Sequence, residues 1–257
     1  MRAVAIIPAR YASSRFPGKP LYPILGKPMI SWVVRAALSV KSLSGVYVAT
    51  DSDEIAKAAA GAGGKAIMTS PECRTGTDRV AEAARKIDAG IIINLQGDEP
   101  AFNPVNVERL VGLFGGSGGV RMATLARPAE NAGELLSPDV VKVVCDGTDD
   151  ALYFSRSPIP YYRDAWRGAN PGAAFPPGGV LPLVHLGVYG FLRESLFAFT
   201  ALPAGKLEKA EELEQLRALE AGWKIRVALA KGPFARGVDS PKDVPPVEEF
   251  LKKTAGK

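Results

Sequence analysis

The sequence predicts an α/β protein with a mostly parallel central sheet and a smaller α+β lobe. Short apolar runs typical of strands alternate with helix-like stretches over the first hundred residues, which indicates βαβ units. With 257 residues, 47% of them hydrophobic, the chain is long enough to bury a sizeable core. The second half is less regular, so we expect it to add a lobe to the sheet.

The elements of the first half follow from apolar runs and their stop signals. Helices should end at glycine, as at Gly63 and Gly64, and Thr77 is a candidate N-cap of the third helix. In chain order we predict a strand at residues 4–8, a helix at 29–38, a strand at 45–50, a helix at 54–62, a short strand at 66–68, a helix at 78–87 and a strand at 91–95.

The second half is predicted to hold strands at residues 140–146, 151–155 and 225–230. Its clearest helix is predicted at residues 207–221, where leucines recur every three residues and Glu211 and Gln215 should share a face. The Pro- and Gly-rich residues 167–182 predict a loop. Because no internal repeat is visible, we interpret residues 1–257 as one domain.

Composition excludes several kinds of site. Two cysteines are too few for a disulfide scaffold or a thiolate zinc cluster, and the single histidine, His185, excludes a multi-histidine metal site. No apolar run approaches the roughly 18 residues of a membrane span, and Pro8 and Arg10 interrupt the apolar start of the chain. We therefore expect a soluble, cytoplasmic protein with no membrane partner.

Positive charge is concentrated at the start of the chain. The first 50 residues hold seven Lys and Arg and no Asp or Glu, although the net charge of the whole chain is only +5. This asymmetry predicts an anionic ligand near the N-terminus. Nucleic acid is disfavoured as that ligand, because the chain has no dense basic run and no interleaved aromatic residues.

Two glycine-rich segments match functional motifs only superficially. Residues 115–119 fit G-x-S-x-G, but four of the five are glycine and no apolar strand precedes them, so a flexible loop is the better interpretation. Residues 61–66 resemble a dinucleotide fingerprint but follow a helix instead of a strand. No Walker A sequence occurs, which excludes a P-loop.

Residues 8–20 (PARYASSRFPGKP) follow the first strand, at the edge where such sheets bind ligands. They offer three cations, Arg10, Arg15 and Lys19, together with the hydroxyl of Ser13 and small residues that let a ligand approach the backbone. Phosphate oxygens favour charge-assisted hydrogen bonds. The segment is therefore predicted to bind a polyphosphate, and a solvated basic loop is the alternative.

Two carboxylates are candidate magnesium ligands. Asp98, in NLQGDEP, follows the predicted strand at 91–95 and should lie at its carboxyl end, and Asp239, in GVDSPKDV, follows the strand at 225–230 after a short loop. Mg²⁺ is typically held by one or two carboxylates together with phosphate oxygens and water. The alternatives stay open, since Asp-Glu-Pro is an ordinary turn and Asp-Ser-Pro a common helix start.

Ten short segments, in order along nearly the whole chain, carry a family resemblance. They are IIPARYASSRFPGKPL, VATD, TGTDR, NLQGDEP, MATL, VKVV, ALYFSRSPIP, HLGVYGF, LEQLR and GVDSPKD. Together they resemble the 3-deoxy-manno-octulosonate cytidylyltransferases. The first segment is similar in other sugar nucleotidyltransferases, whereas QGDEP combined with FSRSPIP and HLGVYGF is more discriminating.

The resemblance implies a glycosyltransferase-A-like nucleotidyltransferase fold in which about residues 130–225 form a sugar-binding and dimerisation lobe. It implies a Mg²⁺-dependent reaction of CTP with 3-deoxy-D-manno-octulosonate (Kdo) that gives CMP-Kdo and pyrophosphate for lipopolysaccharide biosynthesis. The anomeric hydroxyl of Kdo would attack the α-phosphorus of CTP, a reaction that needs mainly positioning and charge stabilisation. A cytoplasmic homodimer is also implied.

The resemblance further assigns roles to residues of this chain. The implied catalytic residues are Lys19, Arg10, Asp98 and Asp239, the last two as Mg²⁺ ligands. The implied nucleotide-binding residues are Ala9, Arg10, Ser13, Arg15, Lys19, Arg79 and Gln96. The implied sugar-binding residues are Gln96, Arg156, His185, Tyr189, Glu214 and Gln215.

Two positions depart from the family pattern: Lys209 stands where a histidine is common, and Phe16 where an aliphatic residue is more usual. Structural alternatives remain for the sugar-binding residues, namely a core or turn histidine at His185, a surface salt bridge at Arg156 and a solvated helix flank at 214–215. The competing functions are a cytidylyltransferase for a sialic acid or an amino-substituted Kdo, a non-catalytic nucleotide-binding protein and a nucleic-acid binder.

Overall fold

The computed structural model describes residues 1–12, 16–116, 119–167, 175, 180–235 and 237–255. Among the helices of these ranges, none combines the length and the apolar character needed to cross a membrane. The strands are β1 (Ala3–Ala9), β2 (Pro23–Ile24), β3 (Lys27–Pro28), β4 (Leu43–Thr50), β5 (Lys65–Met68), β6 (Ile91–Asn94), β7 (Met122–Pro128), β8 (Lys142–Cys145), β9 (Ala151–Ser155), β10 (Leu183–Leu192) and β11 (Arg226–Leu229). The α-helices are α1 (Met29–Leu38), α2 (Asp53–Gly61), α3 (Gly76–Ala84), α4 (Pro104–Gly112), α5 (Ala132–Leu136), α6 (Arg163–Trp166), α7 (Arg193–Ala201), α8 (Lys206–Glu211), α9 (Leu216–Glu220) and α10 (Val244–Ala255).

In the described part of the chain, nine strands form one sheet in the order β11-β7-β10-β6-β1-β4-β5, with β8 paired to β10 and β9 to β8. β1 pairs in parallel with β4 and β6, and β4 with β5. β10 runs antiparallel to β6 and β7, so β7 and its parallel partner β11 run in the same direction as β1. The mostly parallel α/β class is confirmed, and the carboxyl ends of β1, β4 and β6 lie at one edge.

Apolar side chains cover both faces of this sheet. Along β1, Val4 and Ile6 join one buried cluster, while Ala5 and Ile7 join the other, as the two-residue period of a strand requires. The first cluster also contains buried residues of α3, α7 and α9, and the second contains those of α1, α2 and α4. Helices on both faces therefore bury a sheet whose central strand is apolar throughout.

A third apolar cluster joins the segment after β1 to the C-terminal helix. Phe16 is buried there with Met29, Val238 and Val247, and its ring packs edge-on against Tyr22 with centroids 5.0 Å apart. The large aromatic side chain at this position thus fills a core that the C-terminal segment completes. This core brings the chain near residue 19 and the chain near residue 238 to the same place.

Most predicted elements occur within one to three residues of their expected bounds, but the cap of α3 differs. Thr75 is the N-cap: its Oγ1 accepts a hydrogen bond from the N–H of Asp78 at 3.0 Å, and the Asp78 carboxylate accepts one from the N–H of Thr75 at 3.2 Å. This reciprocal pair satisfies two N–H groups at once. The predicted N-cap, Thr77, instead lies inside the helix and is buried.

The predicted single helix at residues 207–221 is wrong, because it is two short helices, α8 and α9. Glu212, directly after α8, has left-handed backbone with φ +52°. The carboxylate and the carbonyl oxygen of Glu211 accept hydrogen bonds from Ser155 and Arg156, and after the turn Leu216 reaches the core. Contacts with β9 and the core thus outweigh helix propensity, and Glu211 and Gln215 do not share a helix face.

The replacement Glu212→Gly tests this break. Glycine adopts left-handed backbone without the steric cost paid by other residues, so we expect the free energy of unfolding to rise by about 0.5–1 kcal/mol. In a continuous helix the same change would lower it by about 1 kcal/mol. Chemical denaturation measures the difference, and Ala210→Gly inside α8 is the control that should be destabilising. A destabilised Glu212→Gly variant would contradict the two-helix structure.

Candidate functional site

A cavity of about 290 Å³ opens at the carboxyl ends of β1 and β6. Of the residues with implied catalytic, metal-binding or nucleotide-binding roles, the structure brings seven to its wall: Ala9, Arg10, Lys19, Arg79, Gln96, Asp98 and Asp239. Ser13 and Arg15 lie outside the described residues. The remainder of the lining consists of Pro8, Pro20, Cys73, Arg74, Thr75, Gly76 and Gly97.

Lys19 links three segments that are distant in sequence. Its Nζ donates hydrogen bonds to Asp98 Oδ2 at 2.6 Å and to the carbonyl oxygen of Val238 at 3.1 Å. The N–H of Val238 donates to the Asp98 carbonyl oxygen at 2.8 Å. Gly18 precedes Lys19 with φ +69°, backbone that favours glycine, and starts the 3-10 turn that carries the lysine. The segments after β1, β6 and β11 are therefore joined at the cavity.

Glycines allow these segments to approach closely. A Cβ on Gly97 would lie 2.9 Å from the carbonyl oxygen of Pro8, and a Cβ on Gly237 would lie 3.4 Å from that of Asp98. The first contact is closer than atoms tolerate, so Gly97 is needed where the chain leaving β6 passes the chain leaving β1. The glycine of the QGDEP segment thus sets the position of Asp98 relative to the basic segment.

Asp98 and Asp239 both line the cavity. Burial, with the negative charges of Asp98 and Asp239, raises the pKa of Glu99 to about 7. Ser240 supplies the cap of the following 3-10 turn, and its N–H and hydroxyl donate to Asp243 at 2.8 Å. The predicted alternative, that Asp-Ser-Pro starts a helix, is therefore fulfilled by Ser240. The carboxylate of Asp239 is not used as the cap. Sequence reasoning missed Glu99, whose only signal is its place beside Asp98.

The donor set of this cavity suits a magnesium ion that also binds phosphate. Asp98 Oδ2 accepts from Lys19, and within the described residues Oδ1 of Asp98 and the carboxylate of Asp239 accept no hydrogen bond. Mg²⁺ prefers hard oxygen ligands and commonly keeps one or two carboxylates, with water and phosphate oxygens completing the shell. Over the ranges described, no group of three or more His, Cys, Asp or Glu is arranged to hold a metal ion.

Arg79 is fixed within the cavity wall. It is buried on α3, where its guanidinium donates to Thr69 Oγ1 at 2.6 Å and to Asp51 Oδ2 at 2.9 Å. Arg74, an exposed cation before α3, also lines the cavity and was missed by sequence reasoning. It lies directly before the TGTDR segment, which is the signal that could have identified it. Cationic groups therefore surround the cavity from the β1 segment and from α3.

Cys73 contributes no nucleophile to this cavity. Its thiol donates to Glu82 Oε2 at 3.2 Å, and burial, aided by this hydrogen bond, raises its pKa to about 11. Thiolate is the reactive form of cysteine, so the side chain is protonated and unreactive near neutral pH.

The predicted sugar-binding residues form a second group beside the cavity. Gln96 lines the cavity and lies next to Gly187 of β10. A Cβ built on Gly187 would be 4.0 Å from Cγ of Gln96. His185, also on β10, is partly buried and hydrogen-bonded through Nε2 to Thr124 Oγ1 at 2.9 Å. Burial lowers the pKa of His185 to about 3, so the ring is neutral. His185 and Tyr189 have ring centroids 5.4 Å apart.

Glu214 and Gln215 lie against this group through a buried polar network. Thr77 Oγ1 donates to Glu214 and accepts from Asn94 Nδ2 at 3.1 Å. Burial raises the pKa of Glu214, and burial together with the Glu214 charge raises that of Tyr189 well above its usual range. Among the described residues, Asn94 Oδ1 and Gln215 Nε2 are buried without a hydrogen-bond partner. Such atoms are costly unless a ligand or water pairs with them.

Arg156 lies at the end of β9 and is held on several sides. Its N–H donates to Glu211 Oε2 at 2.9 Å, its Nε to the Glu211 carbonyl oxygen at 2.6 Å, and its Nη1 to the Pro138 carbonyl oxygen at 2.9 Å. Within the described structure these partners are a carboxylate and two carbonyl oxygens, so the predicted alternative of a plain surface salt bridge is too simple. Arg156 does not line the cavity that holds Lys19.

Comparison with known proteins agrees with this geometry. The family model for cytidylyltransferases matches residues 4–225. A 3-deoxy-manno-octulosonate cytidylyltransferase of Anaeromyxobacter sp. is 52% identical over 249 residues, which are 95% of this chain and 96% of that protein. An 8-amino-3,8-dideoxy-manno-octulosonate cytidylyltransferase of Shewanella baltica is 46% identical over 255 residues, 98% of this chain and 99% of that protein.

Among solved structures, CMP:2-keto-3-deoxy-manno-octonic acid synthetase in complex with CTP is 43% identical to this chain. The two superpose with a TM-score of 0.87 over 99% of this chain and 100% of the other. The resemblance carried by the ten segments is therefore confirmed, and the chain belongs to the cytidylyltransferase family, among the octulosonate cytidylyltransferases.

Proposed function

We propose that this protein is a 3-deoxy-manno-octulosonate cytidylyltransferase that converts CTP and Kdo into CMP-Kdo and pyrophosphate, and so activates Kdo for lipopolysaccharide biosynthesis. The observation that carries the proposal is the 2.6 Å contact of Lys19 with Asp98 in a cavity that Asp239 also lines. A cationic segment and two carboxylates facing one space suit a nucleoside triphosphate bound with a divalent cation.

The basic residues would bind the triphosphate. Arg10 and Lys19 line the cavity from the segment after β1, Arg74 from the segment before α3, and Arg79 from α3. Their charges would offset the charge that develops on the leaving pyrophosphate. Arg79 is already held by Thr69 and by a carboxylate, so its contribution is a fixed positive charge in the wall. Ser13 and Arg15 remain predicted phosphate ligands.

Asp98 and Asp239 would hold Mg²⁺, the cofactor of the proposed reaction. When bound, Mg²⁺ neutralises phosphate charge and lowers the pKa of a coordinated hydroxyl. Lys19, hydrogen-bonded to one oxygen of Asp98, orients that carboxylate. In the reaction, a bond forms between the anomeric oxygen of Kdo and the α-phosphorus, the bond to the bridging oxygen of pyrophosphate breaks, and the hydroxyl proton is released.

Kdo would bind beside the cavity, with Gln96 between nucleotide and sugar. His185 is neutral, which suits a hydrogen bond to a sugar hydroxyl and argues against a general base at neutral pH. Glu214, Tyr189 and Gln215 offer buried polar atoms that pair well with hydroxyl groups. Arg156 supplies the positive charge that the carboxylate of the acid sugar requires.

The identity of the sugar has one close competitor, 8-amino-3,8-dideoxy-manno-octulosonate. The Shewanella baltica relative named for that sugar is 46% identical to this chain. Pyrophosphate release from CTP, measured with each sugar in turn and with Mg²⁺, separates the two substrates. We expect a higher kcat/KM with Kdo, and a higher value with the amino sugar would transfer the proposal to the competitor.

We further propose a cytoplasmic homodimer that forms through the lobe around β9. In the described ranges β9 pairs as a strand only with β8, while at its start the N–H of Ala151 donates to the carbonyl oxygen of Ile225 at 2.8 Å. Over the same ranges the rest of this strand edge is unpaired, and unpaired strand edges favour association. Leu152 on β9 is 62% exposed, Tyr161 63% and Val180 74%. These exposed large apolar side chains of the lobe, together with the strand edge, support the proposal. CTP as substrate supports the cytoplasmic location.

The replacement Asp98→Asn tests the metal ligand. It keeps the size of the side chain but removes its charge, so we expect kcat to fall at least about 100-fold. Pyrophosphate release at saturating CTP and Kdo measures this, and circular dichroism checks the fold. Asp88→Asn, at an exposed position between α3 and β6, is the matched control and should be fully active. Wild-type turnover in Asp98→Asn would remove Asp98 from the mechanism.

The replacement Lys19→Met tests the basic segment. The apolar side chain has similar length but leaves Asp98 and the Val238 carbonyl oxygen without their partner, so we expect kcat/KM for CTP to fall at least about 100-fold. Initial rates at varied CTP measure the effect. Lys57→Met, at an exposed position of α2, should behave as wild type. Unchanged kinetics of Lys19→Met with CTP would refute the role assigned to Lys19.

The replacement Leu152→Glu tests the dimer. A charge on each copy of the strand edge would have to be buried, so we expect a dimer of 27.2 kDa chains to become monomeric. Light scattering coupled to size-exclusion chromatography gives the mass. Leu38→Glu places the same charge on an exposed leucine of α1 and should leave the dimer intact. A monomeric wild-type protein would contradict the proposed homodimer.

A further inference from the structure

A buried lysine outside the cavity makes an unusual set of contacts. Lys142, on β8, is fully buried. Its Nζ donates to three main-chain carbonyl oxygens, those of Ser137 at 2.7 Å, Val140 at 2.5 Å and Arg156 at 2.6 Å. In the described part of the chain no carboxylate forms a hydrogen bond with this ammonium group. All three of its hydrogens are therefore used by the main chain.

The arrangement is costly, which indicates that it serves something other than burial. Moving an ammonium group out of water carries a large penalty, and burial, with the positive charge of Arg156, lowers the pKa of Lys142 to about 8. The nearby charge that favours the ammonium form is that of Glu211. An apolar side chain would fill the space without this penalty. It would leave the carbonyl oxygens of Val140 and Arg156 unpaired within the described residues, and that of Ser137 with only the N–H of Val140 at 3.3 Å.

The three carbonyls belong to two segments that are separated by β8 and β9. Ser137 and Val140 lie in the turn between α5 and β8, whereas Arg156 follows β9. Lys142 thus ties the turn before its own strand to the residue after the next strand. Glu211 holds Arg156 from the other side, through the N–H and Nε of the arginine. Arg156 is consequently fixed at its carbonyl oxygen, its N–H and part of its guanidinium. Its other guanidinium N–H groups have no hydrogen-bond partner among the described residues.

We propose that Lys142 is a positioning residue for acid-sugar binding: by gathering three carbonyl oxygens, it fixes the main chain from which Arg156 reaches the sugar carboxylate. This inference rests on the proposed function, in which Arg156 binds that carboxylate. Charge-assisted hydrogen bonds depend strongly on geometry, so a displaced Arg156 would bind the carboxylate less well. The binding of CTP uses other residues and should not depend on Lys142.

The test compares KM for Kdo with KM for CTP and with kcat in the variant Lys142→Met. We expect KM for Kdo to rise about tenfold or more, which corresponds to the loss of one well-placed charged contact, while KM for CTP and kcat at saturating Kdo stay within about threefold of wild type. Glu108→Ala is the matched control. It removes a side chain of α4 that accepts main-chain N–H groups of Lys41 and Ser42 and, in the described structure, forms no hydrogen bond with Arg156. It should lower the melting temperature without changing KM for Kdo.

Two results would overturn the inference. One is a folded Lys142→Met variant with wild-type KM for Kdo, and the other is an equal loss in the constants for CTP and Kdo, as general destabilisation would give. A wild-type enzyme that releases no pyrophosphate with CTP and Kdo would instead overturn the proposed function.

A second measurement, made on the wild-type protein, tests the inference even where Lys142→Met fails to fold. Hydrogen exchange of wild-type protein should show the amides of residues 139–142 and 155–157 becoming slower when Kdo is added, because the segments held by Lys142 would carry the sugar contact. Unchanged exchange in these residues, with slower exchange at residues 185–189, would contradict the role of Lys142.

Discussion

The ammonium group of Lys19 is the contact on which the cavity depends. It is hydrogen-bonded to Asp98 and to the carbonyl oxygen of Val238, so one side chain connects the chain leaving β1, the chain leaving β6 and the segment that carries Asp239. The apolar cluster that contains Phe16 and Val238 packs the first and last of these segments against each other. Without the lysine, the carboxylate and the carbonyl oxygen would face each other with no cation between them, an arrangement that Coulomb repulsion disfavours.

The two groups of site residues differ in electrostatic character. Around the cavity, charged groups of both signs lie together, with Lys19 hydrogen-bonded to Asp98 and Arg79 to Asp51. Beside it, burial keeps His185 neutral and raises the pKa of Glu214 and Tyr189, so this group favours hydrogen bonds to neutral hydroxyls. Gln96 lies at the boundary between them. The proposed order of the substrates, triphosphate on one side and sugar on the other, follows this division.

The sequence predicted the features that depend on local pattern. The alternation of strands with helices predicted the parallel sheet. Such sheets bind ligands at the carboxyl ends of their strands, which predicted that the segments of Lys19 and Asp98 lie at one edge. The meeting of Asp98 with Asp239 could not be read from the sequence, because it depends on the path of more than a hundred intervening residues and on the core around Phe16. That these two residues share a cavity is an observation that only the fold supplies.

Other features escaped prediction because tertiary contacts override local preference. The leucine spacing at 213, 216 and 219 predicts one helix, but Glu211 is bonded to β9 and the chain turns at Glu212. Threonine is a residue type that often caps helices, which favoured Thr77. The hydroxyl of Thr77 instead donates a hydrogen bond to Glu214, and Thr75 caps the helix. Roles in sugar binding came from the family resemblance, since the spacing of those residues carries no chemical pattern of its own.

The dependence of CTP binding on Mg²⁺, measured by calorimetry in wild-type protein and in Asp239→Asn, tests most directly whether the two carboxylates act together with the basic segment. We expect Mg²⁺ to raise the affinity of the wild-type protein for CTP about tenfold or more, and the variant to lose that gain while binding metal-free CTP at least as well. An equal gain from Mg²⁺ in both proteins would show that Asp239 does not share the cation with Asp98, and would contradict the central claim.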